Sequence, residues 1–481
     1  MGYDYDLIVI GGGPAGEKAA LEAATLGKRA LLFDRGAFPG GAAVHTGTLP
    51  SKTLRETALF LSGREQRHTY GVNVEVDKGL FVPKLLSRKD LVRKLEVGRI
   101  LGSFGDARVE YRRGEATIAD PHTVAVSGED TKLTTEFILI ATGSSPFKPD
   151  NIPFEDPDID ESDSILNLDR MPERLIVLGG GVIGCEYASM FMAMGVQVTL
   201  VDKKVELLDF LDADMSEALK QSFIEQGMTV LLNDGAKHVR REGKEIVVDL
   251  NSGARIAADK LLFAAGRSSN TRGLGLEHAG VELGTRGAVK VNEVFATNIP
   301  SILAAGDVIG FPALASTSME QGRVAVQAAF GVLHLPRPDI ATVLPYGIYT
   351  IPEASCVGLS EEDARAKGLD VVAGRGAFSE NARAKIQGFT DGFVKIVVER
   401  GSRKIIGAHA IGDRATELIH IGQCWVAAGL LIDHAASMVF NYPTLSECFK
   451  DAALDALQKI DEAPKSRLTV RPPPVIAAPA K

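Results

Sequence analysis

The chain has 481 residues, of which 45% are hydrophobic and 24% are charged, and its formal net charge is −9 because 62 acidic residues outnumber 53 lysines and arginines. This acidic balance argues against nucleic acid as a general partner, and no apolar run approaches the roughly 20 residues of a membrane span. The length fits about three domains of ordinary size.

The chain opens on a strand pattern within a few residues of Met1, so we expect no signal or transit peptide. Its four cysteines are scattered, with no C-x-x-C pair: Cys185, Cys356, Cys424 and Cys448. Scattered thiols are typical of a reducing compartment. We therefore expect buried or half-buried free thiols in a cytoplasmic protein.

The first predicted unit binds a dinucleotide and occupies residues 7–34, LIVIGGGPAGEKAALEAATLGKRALLFD. An apolar strand leads into G-x-G-x-x-G, a helix and a second strand that ends at Asp34. In this pattern Gly11 allows the tight turn, Gly13 lets a pyrophosphate approach the backbone, and Gly16 lets helix and strand pack closely. The helix N-terminus attracts the phosphates, and the acid accepts hydrogen bonds from a ribose.

The same pattern returns at residues 175–202, LIVLGGGVIGCEYASMFMAMGVQVTLVD. Gly179, Gly181 and Gly184 repeat the three glycines, and Asp202 repeats the acid at the same spacing. The alternative interpretation of either copy is a glycine-rich turn without a ligand. That alternative is disfavoured because strand, helix, strand and acid occur twice in the same order. Two copies predict two dinucleotides and electron transfer between them.

Each predicted unit closes on an apolar strand and a glycine turn, FILIATGSSP at 137–146 and LLFAAGRSSNT at 261–271. A further strand, SILAAGD at 301–307, precedes a helical pattern at 313–333 and indicates that the chain returns to the first domain. After residue 346, short β-rich runs and then helical stretches indicate a third domain of the α+β class.

We therefore predict an α/β fold with two Rossmann-like domains and a C-terminal α+β domain. The predicted boundaries are 1–150 and 272–345 for the first domain, 151–271 for the second, 346–463 for the third, and 464–481 for a Pro- and Ala-rich disordered tail.

Over residues 5–460 the chain resembles the flavin-dependent pyridine nucleotide–disulfide oxidoreductases, which share the two glycine motifs, the A-T-G closure, the A-A-G-D segment and the C-terminal α+β domain. The resemblance implies FAD on the first unit, NAD(P)H on the second, and a homodimer formed through the third domain. In this family the acid of A-A-G-D, here Asp307, binds the flavin ribityl chain; a turn residue at a strand end is the alternative. The other positions that the resemblance assigns to FAD are Arg35, Lys52, Gly143 and Ala315, and those that it assigns to NAD(P) are Lys203 and Gly266.

The stretch PGGAAVHTGTLPSKTLRE, residues 39–56, departs from the family pattern. Disulfide reductases of the family carry two cysteines there, where this chain has Ala43 and Thr48, and neither can form a thiolate or a disulfide. The family's base, a His in H-P-T-x-x-E, is replaced by Tyr442 in NYPTLSE, which ends at Glu447. A tyrosine is a poor base at neutral pH, so both halves of the thiol chemistry are missing together.

These departures, with the segments GVIGCEYASMF, GIYTIPE and RATELIHIGQ, resemble the soluble transhydrogenase branch of the family. The resemblance implies FAD-dependent hydride transfer between NADPH and NAD⁺, by ping-pong kinetics and without a disulfide relay. Members of that branch commonly keep a cysteine where this chain has Ala43. An NAD(P)H oxidase or diaphorase and a non-catalytic flavin-binding NADH sensor are the competing hypotheses, while disulfide reduction is rejected.

Lys52 and Glu186 are the expected catalytic pair, since the resemblance implies an ion pair beside the flavin. A cation there favours the anionic reduced flavin. Two unrelated helix-surface residues are the alternative. By resemblance, Thr48 lines the flavin, while Tyr442 and Glu447 of the partner subunit pack near it or exclude water.

Coenzyme preference is left open by the residues that follow the second unit. Asp202 favours NAD(H) because a carboxylate repels a 2′-phosphate, whereas Lys203 and Lys204 attract one, and Arg267 is a further candidate. The direction of hydride flux, the effect of Ala43, the role of the tail and any assembly beyond a dimer are also left open.

Overall fold

The computed structural model describes residues 2–63, 69–72, 78–128, 130, 132–310, 312–333 and 343–462. The predicted tail, 464–481, lies outside the described residues. The chain divides into two compact units: unit 1 comprises residues 1–344 and 348–353, and unit 2 comprises residues 345–347 and 354–481. The boundaries predicted within residues 1–345 stay predictions.

Unit 1 contains a largely parallel sheet that two strands extend in antiparallel fashion, a second and fully parallel sheet, two small antiparallel sheets, and the helices. Its strands are β1 (Tyr5–Ile10), β2 (Ala30–Asp34), β3 (Glu110–Arg113), β4 (Ala116–Asp120), β5 (Thr123–Val126), β6 (Lys132–Ile140), β7 (Ser144–Pro146), β8 (Ile159–Glu161), β9 (Arg174–Leu178), β10 (Gln197–Val201), β11 (Thr229–Leu231), β12 (Ala236–Glu242), β13 (Glu245–Leu250), β14 (Arg255–Ala258), β15 (Lys260–Phe263), β16 (Arg267–Ser269) and β17 (Ile302–Ala304). Its helices are α1 (Pro14–Thr25), α2 (Gly41–His45), α3 (Thr48–Ser62), α4 (Lys78–Ala107), α5 (Val182–Ala193), α6 (Ala213–Glu225), α7 (Leu276–Ala279) and α8 (Ala315–Ala329), with short 3₁₀ turns at Ser164–Asn167, Thr285–Gly287 and Asp307–Ile309.

The first sheet has the order β3-β2-β1-β6-β5-β4, and β17 pairs with β6. Strands β3, β2, β1, β6 and β17 are parallel neighbours, with Leu7 beside both Ala30 and Phe137. Alternate residues of β1 enter two different cores, so both faces of the sheet are covered. This explains why β1 reads as an apolar run rather than as an alternating pattern.

The second sheet repeats this arrangement with the order β11-β10-β9-β15-β8, all parallel. An antiparallel sheet, β12-β13-β14, completes the nucleotide-binding half. The strands that follow the two closing turns, β7 and β16, pair with each other in antiparallel fashion. Both predicted Rossmann-like sheets are therefore present.

Unit 2 is an α+β body. Its strands are β18 (Tyr346–Ile348), β19 (Glu353–Gly358), β20 (Val371–Ala377), β21 (Phe393–Glu399) and β22 (Ile405–Gly412), and its helices are α9 (Glu361–Ala366), α10 (Ala382–Gln387), α11 (Ala415–Ala427), α12 (Ile432–Ser437) and α13 (Glu447–Asp461), with a 3₁₀ turn at Phe378–Glu380.

The sheet of unit 2 has the order β18-β19-β22-β21-β20, and α13 lies against β20. A Cβ on Gly374 would lie 2.0 Å from Ala452 O, so only glycine permits this close approach. The core includes Phe378, Trp425 and Phe449, and the two rings of Trp425 and Phe449 meet edge to face. The predicted fold class, two dinucleotide-binding sheets followed by an α+β domain, is confirmed. Among the helices of the described part, none combines the length and apolarity that crossing a membrane requires.

Candidate functional site

The first glycine loop joins β1 to α1 and has the geometry that its sequence predicts. Gly11 has φ +111°, and a Cβ there would lie 2.3 Å from Ala141 O. A Cβ on Gly16 would lie 1.9 Å from Gly11 O, so α1 packs directly on the turn. By contrast, the nearest atom to a Cβ on Gly13 is Gly41 Cα at 3.8 Å. The fold itself would therefore accept a side chain at position 13. A glycine there is what a ligand that closely approaches the backbone requires.

A second segment lies over this first loop. The Gly40 N–H donates to Gly12 O at 2.7 Å, and Gly41, with φ +54°, begins α2. A Cβ on Gly41 would lie 2.7 Å from Gly13 Cα. We call residues 40–48 the cover of the first loop.

The second glycine loop joins β9 to α5 with matching geometry. Gly179 has φ +119°, and its Cβ would lie 2.7 Å from Ala264 O; a Cβ on Gly184 would lie 1.7 Å from Gly179 O. Gly181 is exposed, and a Cβ there would meet nothing within 4 Å. The second loop therefore has the same shape as the first, but no neighbouring residue lies close to its central glycine.

The acids that end the second strands both accept hydrogen bonds from their own glycine loops. Asp34 Oδ2 accepts from the Gly12 N–H at 2.8 Å, and Asp202 accepts from the Gly180 N–H. Their other oxygens accept from the Gly36 N–H at 2.7 Å and the Lys204 N–H at 2.7 Å. Each acid therefore joins the end of its strand to the glycine loop and to the turn that follows. The spacing of residues in the sequence does not reveal these hydrogen bonds.

The ion pair expected of Lys52 and Glu186 is present in unit 1. Lys52 Nζ lies 2.7 Å from Glu186 Oε2, and the side chain of Glu186 is only 7% exposed. Lys52 extends from α3, directly after the cover, and Glu186 from α5, directly after the second glycine loop. The structure thus joins the two nucleotide-binding halves at the pair that the sequence singled out.

Tyr349 is a residue of this site that sequence reasoning missed. Its ring centroid lies 4.9 Å from Lys52 Nζ, and its backbone N–H donates to Glu186 Oε1 at 2.9 Å. The segment GIYTIPE, which contains Tyr349, resembles the family, and this resemblance is the signal in the sequence that points to the residue.

Asp307 and Arg267 meet at Ser144, which follows the closing turn at Gly143. Ser144 Oγ donates to Asp307 Oδ2 at 2.9 Å, and Arg267 Nε donates to Ser144 Oγ at 2.8 Å. Arg267 also donates to Ser144 O and lies 3.6 Å from Asp163. The guanidinium of Arg267 is therefore held by β7 and Asp163, and its suggested contribution to a 2′-phosphate site stays a prediction.

Asp163 links the cover to the second closing turn. Its carboxyl accepts from Thr46 and faces Arg267, and burial raises the pKa of this carboxyl while Arg267 opposes the shift. Nearby on α5, burial also raises the pKa of the Tyr187 hydroxyl, which donates to Ser162 O at 3.3 Å. Asp163 was not predicted, since only the fold brings Thr46 and Arg267 to it.

The two lysines after Asp202 have different surroundings. Lys204 Nζ pairs with Asp209 at 2.6 Å. A Cβ on Gly235 would lie 2.7 Å from Lys203 Cε, so the aliphatic part of Lys203 lies across that glycine. Arg286, missed in the sequence, is a cation beside the second closing turn, because its Nη1 would lie 2.7 Å from a Cβ on Gly266.

The remaining predicted positions are placed as follows. Arg35 is exposed, Ala315 begins α8, and the Thr317 hydroxyl two residues later is buried without a hydrogen-bond partner among the described residues. Ala43 lies on α2 and Thr48 is exposed at the start of α3.

In unit 2, Tyr442 is 75% exposed, and Glu447 accepts from the Thr444 N–H at 3.4 Å. All four cysteines are free, but Cys424 is exposed, so the expectation of buried or half-buried thiols is wrong for that residue. Its position on α11 faces away from the core that buries Trp425.

The residues present fit two dinucleotides. Gly13 and Gly181 each leave room that the surrounding fold does not use, beside the N-termini of α1 and α5. Thr317 adds an unsatisfied buried hydroxyl on α8, which packs closely on α1 through Gly322. No group of three or more His, Cys, Asp or Glu that could hold a metal ion occurs in the part of the chain that the structure describes.

Family comparison matches two regions of the chain. Residues 5–327 match the family described as pyridine nucleotide-disulphide oxidoreductase, and residues 344–453 match the dimerisation domain of the same family.

Curated relatives match nearly the whole chain. A protein named soluble pyridine nucleotide transhydrogenase from Mycobacterium bovis is 41% identical over 461 residues, which cover 95% of this chain and 98% of that protein. Proteins of the same name from Pectobacterium atrosepticum and Colwellia psychrerythraea are 39% and 38% identical over 464 residues, covering 95% of this chain and 98% and 99% of theirs.

Solved structures of the same architecture include LpdA from Mycobacterium tuberculosis, with a TM-score of 0.85 and 30% identity over 93% of this chain and 99% of that one. The HOCl-induced flavoprotein disulfide reductase RclA from Escherichia coli has a TM-score of 0.84 and 28% identity over 94% of this chain and 99% of its own.

Proposed function

The chain belongs to the pyridine nucleotide–disulphide oxidoreductase family, and we propose that it is an FAD-dependent transhydrogenase that moves hydride between NADPH and NAD⁺. The observation that carries this proposal is the combination of two intact glycine loops with no thiol pair. Ala43 and Thr48 stand at the two positions where the disulfide reductases of the family carry cysteines. Electrons therefore have no sulfur relay to enter, and the second coenzyme is the natural acceptor.

FAD, when bound, supplies a centre that takes up and releases hydride. We assign its binding to the first glycine loop, Asp34, Asp307 and the start of α8. The Gly11–Gly16 turn and the N-terminus of α1 hold its pyrophosphate, and Gly13 leaves the space for that contact.

The second loop holds NAD(H) or NADP(H) in turn. The open face at Gly181 and the N-terminus of α5 suit a pyrophosphate that arrives and leaves. Asp202 is held by backbone N–H groups, and Lys203 extends across Gly235. We assign Lys203 to the 2′-phosphate of NADP(H), because Lys204 is already paired with Asp209.

Lys52 is the residue to which we assign electrostatic stabilisation of the reduced state. Its ammonium is held by the buried carboxylate of Glu186 at 2.7 Å. A fixed cation needs no reorganisation when negative charge develops beside it, so it stabilises that charge more than water does. Thr48, at the N-terminal end of the same helix, supplies a small polar side chain where a reductase has a cysteine.

We further propose a cytoplasmic homodimer formed through residues 346–463, with Tyr442 and Glu447 reaching the partner's site. The match of residues 344–453 to the family's dimerisation domain supports the dimer. The free state of all four cysteines supports a reducing compartment. Analytical ultracentrifugation measures the assembly and any order beyond the dimer.

The proposed reaction is tested by separating its halves. Stopped-flow absorbance should follow reduction of the bound flavin by NADPH and by NADH separately, and then reoxidation by thio-NAD⁺ in competition with oxygen. Reoxidation that is faster with thio-NAD⁺ than with oxygen is expected. Faster turnover with oxygen or a quinone would identify an oxidase or diaphorase instead, and slow reduction by both coenzymes would identify a non-catalytic sensor. Lipoamide-dependent turnover would contradict the absence of a sulfur relay.

A further inference from the structure

A short segment of unit 1, residues 348–353, lies against α5 and is fixed there by two backbone hydrogen bonds. We call this segment the strap. The Tyr349 N–H donates to Glu186 Oε1 at 2.9 Å, and the Ile351 N–H donates to Ser189 Oγ at 3.1 Å. Ser189 is fully buried and Glu186 nearly so. The backbone on both sides of residue 350 is therefore registered on one face of α5.

The strap is also held from the other helix of the site. Arg55 on α3 donates from Nη2 to Thr350 O at 3.1 Å and pairs with Glu353 at 3.1 Å. The side chains of Arg55 and Glu353 are 10% and 11% exposed, so this is a largely desolvated pair. Arg55 stands one turn after Lys52 on α3. The strap thus joins α3 and α5 at the level of the Lys52–Glu186 ion pair.

This anchoring places the ring of Tyr349 over the Lys52 ammonium. Nζ lies 4.9 Å from the ring centroid, within the range of a cation–π contact. The same ammonium lies 2.7 Å from Glu186 Oε2, while Glu186 Oε1 accepts from the Tyr349 backbone. Glu186 and the Tyr349 ring are therefore both fixed by the strap, and Lys52 Nζ also donates to Ser51 Oγ at 3.5 Å.

We propose that Tyr349 is a positioning residue, whose ring face holds the Lys52 ammonium in the place where it acts on the bound flavin. A carboxylate alone allows the flexible lysine side chain to approach it from several directions. An aromatic ring on a second side restricts the ammonium of Lys52 to one position. The inference rests on the proposed function for the role of Lys52, but the placement of Lys52 by Tyr349 is a property of the chain itself. A contact of this kind favours the held position by about 2- to 30-fold.

The first test measures the midpoint potential of bound FAD in the full-length holoenzyme. Tyr349→Leu removes the ring face, Tyr349→Phe keeps it without the hydroxyl, and Lys52→Met removes the cation. Tyr349→Leu should shift the potential to a more negative value, by less than Lys52→Met, and Tyr349→Phe should leave it at the wild-type value. Adding Tyr349→Leu to Lys52→Met should change nothing more, because the ring acts through the cation. A shift that persists in the Lys52→Met background, or an unchanged potential in Tyr349→Leu where Lys52→Met does shift it, would overturn the proposal.

The second test reads the position of Lys52 without reference to flavin chemistry. The rate of Lys52 acylation by acetic anhydride, followed by mass spectrometry, should rise several-fold in Tyr349→Leu and stay constant in Tyr349→Phe. Equal rates in all three proteins would contradict the placement of Lys52 by Tyr349. If acylation responds as expected while Lys52→Met leaves the potential unchanged, the role assigned to Lys52 under the proposed function fails and the placement by Tyr349 stands. Tyr349→Met repeats both measurements with an unbranched side chain should the leucine variant fail to fold.

Discussion

The two glycine loops are the same structure in different surroundings. Each has a positive-φ first glycine packed on the carbonyl of a closing strand, and a third glycine against the first glycine's carbonyl oxygen. They differ at the central glycine, since Gly13 lies beneath Gly41 whereas Gly181 meets no atom within 4 Å. A covered central glycine suits a group that remains bound, and an open central glycine suits one that exchanges at every turnover. The comparison teaches two things about the proposed sites. The shared motif determines how a pyrophosphate is held, and the residues beside the central glycine determine how long the ligand stays bound.

The largest expected effect tests what the two loops share. Gly16→Ala and Gly184→Ala place a Cβ within 2 Å of a backbone oxygen that cannot move away. Each should lower the free energy of unfolding by roughly 2–4 kcal/mol, measured by urea denaturation of the full-length protein. Gly98→Ala, on α4 with nothing within 4 Å of its Cβ, is the matched control and should cost nothing. If the two loop variants were as stable as this control, the claim that close packing requires glycine at positions 16 and 184 would be contradicted.

The next effect separates the loops by ligand. An added Cβ at Gly181 meets nothing within 4 Å and at Gly13 only an ordinary contact, so both alanine variants should fold normally. Gly181→Ala should raise the KM for NADH and NADPH by about 10- to 100-fold with full FAD content, because the methyl meets the pyrophosphate. Gly13→Ala should instead lower the FAD content of the purified protein. The same defect in both variants would refute the assignment of one ligand to each loop.

A smaller effect tests the cover itself. Gly41→Ala adds a Cβ 2.7 Å from Gly13 Cα in a backbone that favours glycine, at a cost of about 1–2 kcal/mol. FAD should dissociate about 5- to 30-fold faster, as followed by flavin fluorescence after dilution, while both coenzyme KM values stay unchanged. Gly429→Ala in unit 2 is the control, since Gly429 has a φ of +56° but no atom within 4 Å of an added Cβ. Equal flavin loss in the two variants would assign the effect to backbone strain alone.

The smallest effect concerns Asp163, which joins the cover at Thr46 to Arg267 after the second closing turn. Burial raises the pKa of this carboxyl above its ordinary value of 3.8. Its contribution to folding is therefore complete below pH 3.8 and is lost as the pH rises through the folded-state pKa. Asp163→Asn cannot titrate, so it should gain stability relative to wild type as the pH rises, by about 1 kcal/mol or less.

The control for this pH series has the opposite sign. The His122 N–H lowers the pKa of Asp120, so that carboxyl contributes stability above its ordinary pKa of 3.8 and loses it as the pH falls. Asp120→Asn should therefore lose stability relative to wild type as the pH rises from the lowered folded-state pKa of Asp120 to 3.8, below the interval in which Asp163 acts, measured by the same thermal or urea unfolding. Parallel curves for the two variants would show that neither carboxyl titrates as its surroundings require.

The sequence by itself determined the two nucleotide-binding units, the α+β third domain and the absence of the thiol pair. These are local matters, because a turn between a strand and a helix needs glycine at fixed spacings, and a missing cysteine cannot be supplied by the fold. It also singled out Lys52 and Glu186, but only through motifs that resemble a known family.

Only the tertiary structure decided which side chains meet. Lys52 and Glu186 are 134 positions apart, and the Arg267–Ser144 contact spans 123 positions. The fold placed Arg267 against β7, brought Tyr349 over Lys52, and placed Gly41 beside Gly13 while leaving Gly181 open. Such contacts depend on how separate elements pack, and the periodicity and spacing of residues along one element carry no record of its distant neighbours.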